Sequence, residues 1–128
     1  MTNDQIVTDF CMSLEHSEAG FEPGRYLAEE VEYLNVPLEP IYGREAAKAF
    51  LTPFVGAGSN CLARMEIPVT TSAGNFVMNE RMEYWVKGDV RVDLPVAGVF
   101  ELRDGLIVSW RDYFDLPTLQ PLLDAVLG

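Results

Sequence analysis

At 128 residues, 48% of them hydrophobic, the chain has the size of one domain of about 100 to 150 residues, with enough apolar material for one core. Its 20 acidic and 9 basic residues give a formal net charge of −11, which repels phosphate backbones and anionic lipid. Nucleic acid and membrane surfaces are thereby excluded as expected partners, and a small neutral or cationic molecule is the expected substrate.

A single domain over residues 1–128 is the organisation expected, with acids such as Glu15, Glu18, Glu22, Glu29 and Glu30 forming ordinary solvated surface. The opening Met-Thr-Asn-Asp-Gln carries no basic segment leading into an apolar run. Nor does any stretch approach the roughly 18 apolar residues of a spanning helix, so a cytoplasmic location is expected. From about Asp4 to Glu18, Ile6, Val7, Phe10, Cys11 and Leu14 recur at steps of three and four, which predicts an amphipathic helix stopped by Gly20. His16, the one histidine, falls on that helix between Glu15 and Ser17 and reads as solvated. Any acid–base chemistry must then run on carboxylates. Cys11 lies in the helix and Cys61 at the start of a later strand. With no Cys or His spaced near them as partners, both read as reduced structural thiols, and zinc or a disulfide is not expected.

After a Phe21-Glu22-Pro23-Gly24 turn, Tyr26, Leu27 and Glu29-Glu30 read as a short helical piece leading into an extended Val31 to Pro37. A second helix is predicted from Arg44 to about Val55, ended by Pro53 or by Gly56-Ala57-Gly58. That last segment lacks the strand, third glycine and lysine of a phosphate cradle and reads as a plain loop. From Leu62 the period changes to two. Strands are predicted over Leu62–Thr71, Asn75–Lys87, Asp89–Arg103 and Leu106–Phe114, separated by Ala73-Gly74, Gly88-Asp89 and Asp104-Gly105, the signals of antiparallel hairpins. A closing helix, Leu116–Leu127, follows Asp115 as its cap, with Pro117 in the first turn. Helices first and a meander afterwards predict an α+β fold with helices on one face of a curved sheet.

The informative positions are polar residues in phase with apolar ones, since a half-buried strand alternates. In the last strand Val108, Trp110, Asp112 and Phe114 share one face, and Ile107, Ser109, Arg111 and Tyr113 the other. Asp112 among aromatic side chains needs a donor if it is buried. Arg81, Glu83 and Trp85 share one face of their strand, opposite Met82, Tyr84 and Val86, which are free to cover a core or a partner subunit. A guanidinium has five N–H donors and can hold two carboxylates, so Asp112, Arg81 and Glu83 form a candidate acid–arginine–acid group. Tyr33 and Asn35, on one face with Val31, are a candidate cradle for a water or a substrate oxygen. Spacing alone leaves open the alternative of an ion-pair ladder on an exposed sheet face, with Tyr33 a core aromatic.

Tyr33-Leu34-Asn35, Pro40-Ile41-Tyr42-Gly43-Arg44-Glu45-Ala46, Asn79-Glu80-Arg81 and the run from Val99 through Gly105 to Trp110-Arg111-Asp112-Tyr113-Phe114-Asp115 resemble the limonene-1,2-epoxide hydrolases. These sit in the wider group of cup-shaped domains that includes nuclear transport factor 2, ketosteroid isomerase and the polyketide cyclases. The resemblance covers nearly the whole chain. It implies a cone-shaped, curved mixed β-sheet with N-terminal helices on its concave face and a short C-terminal helix. It also implies that Asp112 is a general base activating water held by Tyr33 and Asn35, that Arg81 bridges two acids, and that Glu83 is the general acid. The family has aspartate at that last position. Trp85, Trp110 and Phe114, with Leu119 or Leu123, would supply the apolar wall of the substrate site. The expected activity is cofactor-free addition of water to the epoxide of a small hydrophobic, cyclic or aromatic molecule to give a vicinal diol, with no metal and with a homodimer as the expected assembly. Two alternatives stand beside it: a lyase or isomerase in which Asp112 or Glu83 abstracts a proton, favoured by glutamate at position 83, and a non-catalytic ligand-binding module.

Overall fold

The computed structural model describes every residue except 16–21, 57 and 59, so the readings of His16, Glu18, Gly20 and Phe21 lie outside the described residues. Among the described residues three helices pack on the concave side of one curved, mixed six-stranded sheet, an α+β cone. The elements in chain order are α1 (Asn3–Glu15), a 3-10 turn (Pro23–Arg25), β1 (Leu27–Val36), β2 (Ile41–Tyr42), α2 (Arg44–Val55), β3 (Leu62–Ala73), β4 (Phe76–Lys87), β5 (Val90–Arg103), β6 (Leu106–Tyr113) and α3 (Leu116–Leu127). Strand order is β2-β1-β6-β5-β4-β3, with β1 and β6 parallel and every other pair antiparallel. Among the described residues no helix is long and apolar enough to cross a membrane.

The apolar stripes do the packing. Val7, Phe10, Cys11 and Leu14 of α1 are buried, as are Ala47, Leu51, Phe54 and Val55 of α2, the faces their spacing marks as apolar. Helix α2 runs through Pro53 and ends at Gly56, whose N–H donates to the Thr52 carbonyl. Asp115 caps α3 as expected: its carboxylate accepts from the Thr118 N–H at 3.1 Å and the Thr118 hydroxyl at 2.6 Å, and Pro117 lies in the first turn.

Two local departures have a common cause, extra residues inserted into a ladder. The stretch read as a helical piece is the start of β1, preceded only by the 3-10 turn. Against β6, Leu27 pairs with Ile107 and Glu32 with Ser109, so five steps on β1 face two on β6. The bulge leaves Leu27 and Ala28 both buried and Glu29 and Glu30 both exposed, a doublet pattern that imitates a helix. The second bulge is at Val108, because Glu101 pairs with Ser109 and Leu102 with Ile107. Ile107 therefore joins Trp110 and Asp112 on the concave face, and Val108 does not, which corrects the alternation expected for this strand. The short β2 strand, which pairs with β1 at Tyr33 and Glu32, carries too few residues to show a period.

Candidate active site

Strand β4 turns Val77, Asn79, Arg81, Glu83 and Trp85 inward, all buried, and keeps Met82, Tyr84 and Val86 half-buried on the outer face. On that outer face the Tyr84 hydroxyl donates to Glu66 at 2.6 Å. Register then decides which inward groups meet. Asn35, Asp112, Gly98 and Asn79 form one row across β1, β6, β5 and β4, and Tyr33, Trp110, Phe100 and Val77 form the next. Because Gly98 has no side chain, the row has a gap at its centre, and the guanidinium of Arg81 fills it. A Cβ at Gly98 would lie 2.8 Å from the Asn79 amide oxygen, 2.9 Å from the Phe100 ring and closer still to Arg81 Nη1. Arg81 thus leans diagonally from β4 across β5 to reach β6.

Arg81 Nη2 donates to Asp112 Oδ2 at 2.6 Å and to Glu83 Oε2 at 3.0 Å, Nε donates to the same Glu83 oxygen at 3.1 Å, and Nη1 donates to Asn79 Oδ1 at 2.9 Å. The Arg81 side chain is 1% exposed, against 9% for Glu83 and 8% for Asp112. Each acid has a second donor two residues away on its own strand. Trp85 Nε1 donates to Glu83 Oε1 at 3.1 Å, and Trp110 Nε1 to Asp112 Oδ1 at 2.9 Å. Behind the guanidinium, the Asn79 amide donates to Cys11 Sγ at 3.7 Å and the Phe100 ring lies 5.9 Å below.

Two ionised acids and one arginine would leave a net negative charge in a dry site, so the group favours holding one proton. Glu83 is raised above the ordinary carboxylate range, chiefly by burial, against the pull of Arg81 and with a further push from Asp112. Burial disfavours the Arg81 charge, but Asp112 and Glu83 outweigh it and hold the guanidinium above its usual range. Burial, with the Asp112 charge, keeps the Tyr33 phenol protonated well above its usual range, with the Asn35 amide opposing. Burial likewise pushes the Cys11 thiol up to about 11, so it stays neutral behind the site.

Both acids face a cleft of about 590 Å³, open solvent at its mouth included, and Tyr33 and Asn35 line it beside them. Trp85, Trp110 and Phe114 line it, as do Phe50 and Phe54 of α2 and Leu119, Leu122 and Leu123 of α3. Tyr33 stacks on Trp110 with centroids 4.0 Å apart at 14°, so the phenol is a wall and a donor at once. Every sequence-predicted site residue is in or under this cleft. Sequence reasoning passed over Asn79, Gly98 and Cys11 as site residues. The available signals were an asparagine in phase with Arg81 and a glycine inside a strand, which marks close approach. Among the described residues no group of three or more His, Cys, Asp or Glu side chains is placed to hold a metal.

Comparison with known proteins points the same way. The model of the limonene-1,2-epoxide hydrolase catalytic domain matches residues 1–125. Epoxide hydrolase EphG of Mycobacterium tuberculosis is 33% identical over 90 residues, 70% of this chain and 58% of that protein, so the match spans little more than half of the relative's length. The structure of a limonene-epoxide-hydrolase-like epoxide hydrolase from the same species aligns with TM-score 0.73 and 26% identity, over 98% of this chain and 92% of the other. A nuclear transport factor 2-like protein of unknown function from Cytophaga hutchinsonii aligns with TM-score 0.71 over 96% of both chains, at 19% identity, a likeness of fold alone.

Proposed function

Since the chain belongs to the limonene-1,2-epoxide hydrolase family, we propose that it adds water to the epoxide of a small hydrophobic, cyclic or aromatic molecule, giving a vicinal diol without a cofactor. The observation that carries this reading is one guanidinium joining two buried acids at the floor of an apolar cleft, with a phenol and an amide beside them. One-step hydration needs a proton removed from water and a proton delivered to the leaving oxygen. In this reading Tyr33 and Asn35 hold a water against Asp112. Asp112 takes its proton as the water oxygen bonds to one epoxide carbon; the carbon–oxygen bond on that carbon breaks, and Glu83 gives its proton to the departing oxygen. One proton enters the triad as another leaves, so its total charge is constant through the step. Arg81 stays charged throughout and spreads its field over both acids, a preorganised dipole arrangement that needs no rearrangement during reaction. Trp85, Trp110 and Phe114 exclude water and bind the substrate's apolar body.

The test is a panel of cyclic and aryl epoxides incubated in heavy-oxygen water with mass analysis of products. A diol carrying one solvent oxygen, lost together with a fall in rate of about 10²- to 10⁴-fold in Asp112→Asn, supports the reading. Turnover without added mass identifies an isomerase or, with two fragments, a lyase on the same cup; ligand binding with no turnover identifies a binding module. The exposed outer face around Met78, Val69 and Tyr113, 50%, 52% and 44% exposed, supports a homodimer. Sedimentation at twice the monomer mass is expected, and a monomer at micromolar concentration would oppose it.

A further inference from the structure

The acid half of the site has a feature that the hydration step alone does not require. Glu83 touches the guanidinium through one oxygen only: both Nε and Nη2 of Arg81 donate to Oε2. Such a contact is a hinge, and a glutamate has one more rotor than an aspartate with which to swing about it. Among the described residues Oε1, the oxygen left to carry and release a proton, is held by one group, the Trp85 indole N–H at 3.1 Å. The indole is itself fixed. Trp85 sits two residues along the same strand on the same face, is 9% exposed, and meets the Phe54 ring of α2 edge-on at 6.2 Å and 82°. Glu83 and Trp85 both line the cleft, so the donor and the acid reach the substrate space together.

We propose, building on the hydrolase reading, that Trp85 is the positioning residue of the general acid: its N–H orients Glu83 Oε1 toward the cleft and stabilises the charge that appears there as the proton leaves. The glutamate and the indole then act as a pair, since Trp85 Nε1 holds Oε1 while Oε2 rests on the guanidinium. The other titratable groups facing Glu83 are Arg81 on β4, Asp112 on β6, Tyr33 on β1 and Cys11 on α1. Around them α2, α3, β3 and β5 set apolar Phe54, Leu122, Met65 and Leu94, so Trp85 is the uncharged donor that acts on this carboxyl.

The experiment is the pH profile of kcat/KM for epoxide hydration in four proteins: unaltered, Trp85→Phe, Glu83→Asp and the double variant. The base must be ionised and the acid protonated, so kcat/KM reaches a plateau between an acid limb and an alkaline limb, and the alkaline limb reports the acid. Loss of the N–H disfavours the ionised carboxyl, and the alkaline limb of Trp85→Phe moves to higher pH while the plateau falls about tenfold. In the Glu83→Asp background the same change costs less than about twofold, the mark of coupling between the two residues. An unmoved limb, or an equal loss in both backgrounds, overturns the proposal. If Trp85→Phe does not fold, the indole 15N–1H signal of Trp85 in the unaltered protein, assigned by its through-space contact with Phe54, decides. It titrates with the acid and is flat in Glu83→Gln; a signal flat in the unaltered protein overturns the proposal. A protein that hydrates no epoxide refutes the hydrolase reading, whereas the indole titration reads the Trp85–Glu83 contact on its own.

Discussion

Gly98→Ala is the smallest change that should disable this site. The added methyl carbon would stand 2.8 Å from Asn79 Oδ1 and 2.9 Å from Phe100 Cε1, and nearest of all to Arg81 Nη1. Ordinary contact at about 3.5 Å would require those atoms to retreat by roughly half an ångström to one ångström, Arg81 Nη1 the furthest. The tip of an exposed arginine would do so at little cost, but this guanidinium is fixed by donations to Asp112, Glu83 and Asn79. Phe100 is fully buried and faces Trp110 with centroids 6.2 Å apart, so it cannot yield freely either. Overpacking of this kind costs about 1–3 kcal/mol; a mid-range loss lowers the melting temperature of a domain this size by roughly 4–10 °C. The effect on rate should exceed the effect on stability, because a shift of about an ångström in the group joining both acids lowers kcat/KM by about a hundredfold. Thermal unfolding by circular dichroism and kcat/KM for diol formation measure the two. A Gly98→Ala protein with kcat/KM within twofold of the parent, whatever its melting temperature, would refute the claim that the missing side chain seats Arg81.

Arg81→Met leaves two buried acids without their cation and should lower stability by about 3–5 kcal/mol at neutral pH. Chemical denaturation should show part of that loss recovered on acidification, as the unpaired acids take up protons; a deficit that grows as pH falls would oppose the account. Glu83→Gln should flatten the pH dependence of stability. The folded state holds the Glu83 proton more tightly than the unfolded chain, so this residue's contribution is complete below about 4.5 and is lost as pH rises through its raised folded value. The difference in melting temperature between parent and Glu83→Gln should therefore move in the variant's favour from pH 4.5 to pH 8, and a constant difference would show that Glu83 is not perturbed.

The parts of the fold that were legible are those set by local chemistry. Glycine-bearing turns punctuated the meander, Asp115 and Pro117 marked the start of α3, and the periods of α1 and α2 marked their buried faces. What local pattern could not carry was an insertion into a ladder. Glu29-Glu30 read as helical because a bulge pairs buried with buried and exposed with exposed, and Val108 took the wrong face for the same reason. The site divides along the same line. Asp112, Arg81 and Glu83 were visible as polar residues in phase with apolar ones. Asn79 and Gly98 acquire their roles only from register across β4, β5 and β6, which hairpin signals bound but do not determine residue by residue.

The central claim is that Asp112 activates a water and does not itself bond to substrate. A single turnover, with enzyme in excess over epoxide in heavy-oxygen water, tests it directly: the first diol formed should already contain the solvent's oxygen. An unlabelled first diol, with the heavy oxygen found afterwards in the Asp112 carboxyl, would contradict the account and make that residue a nucleophile.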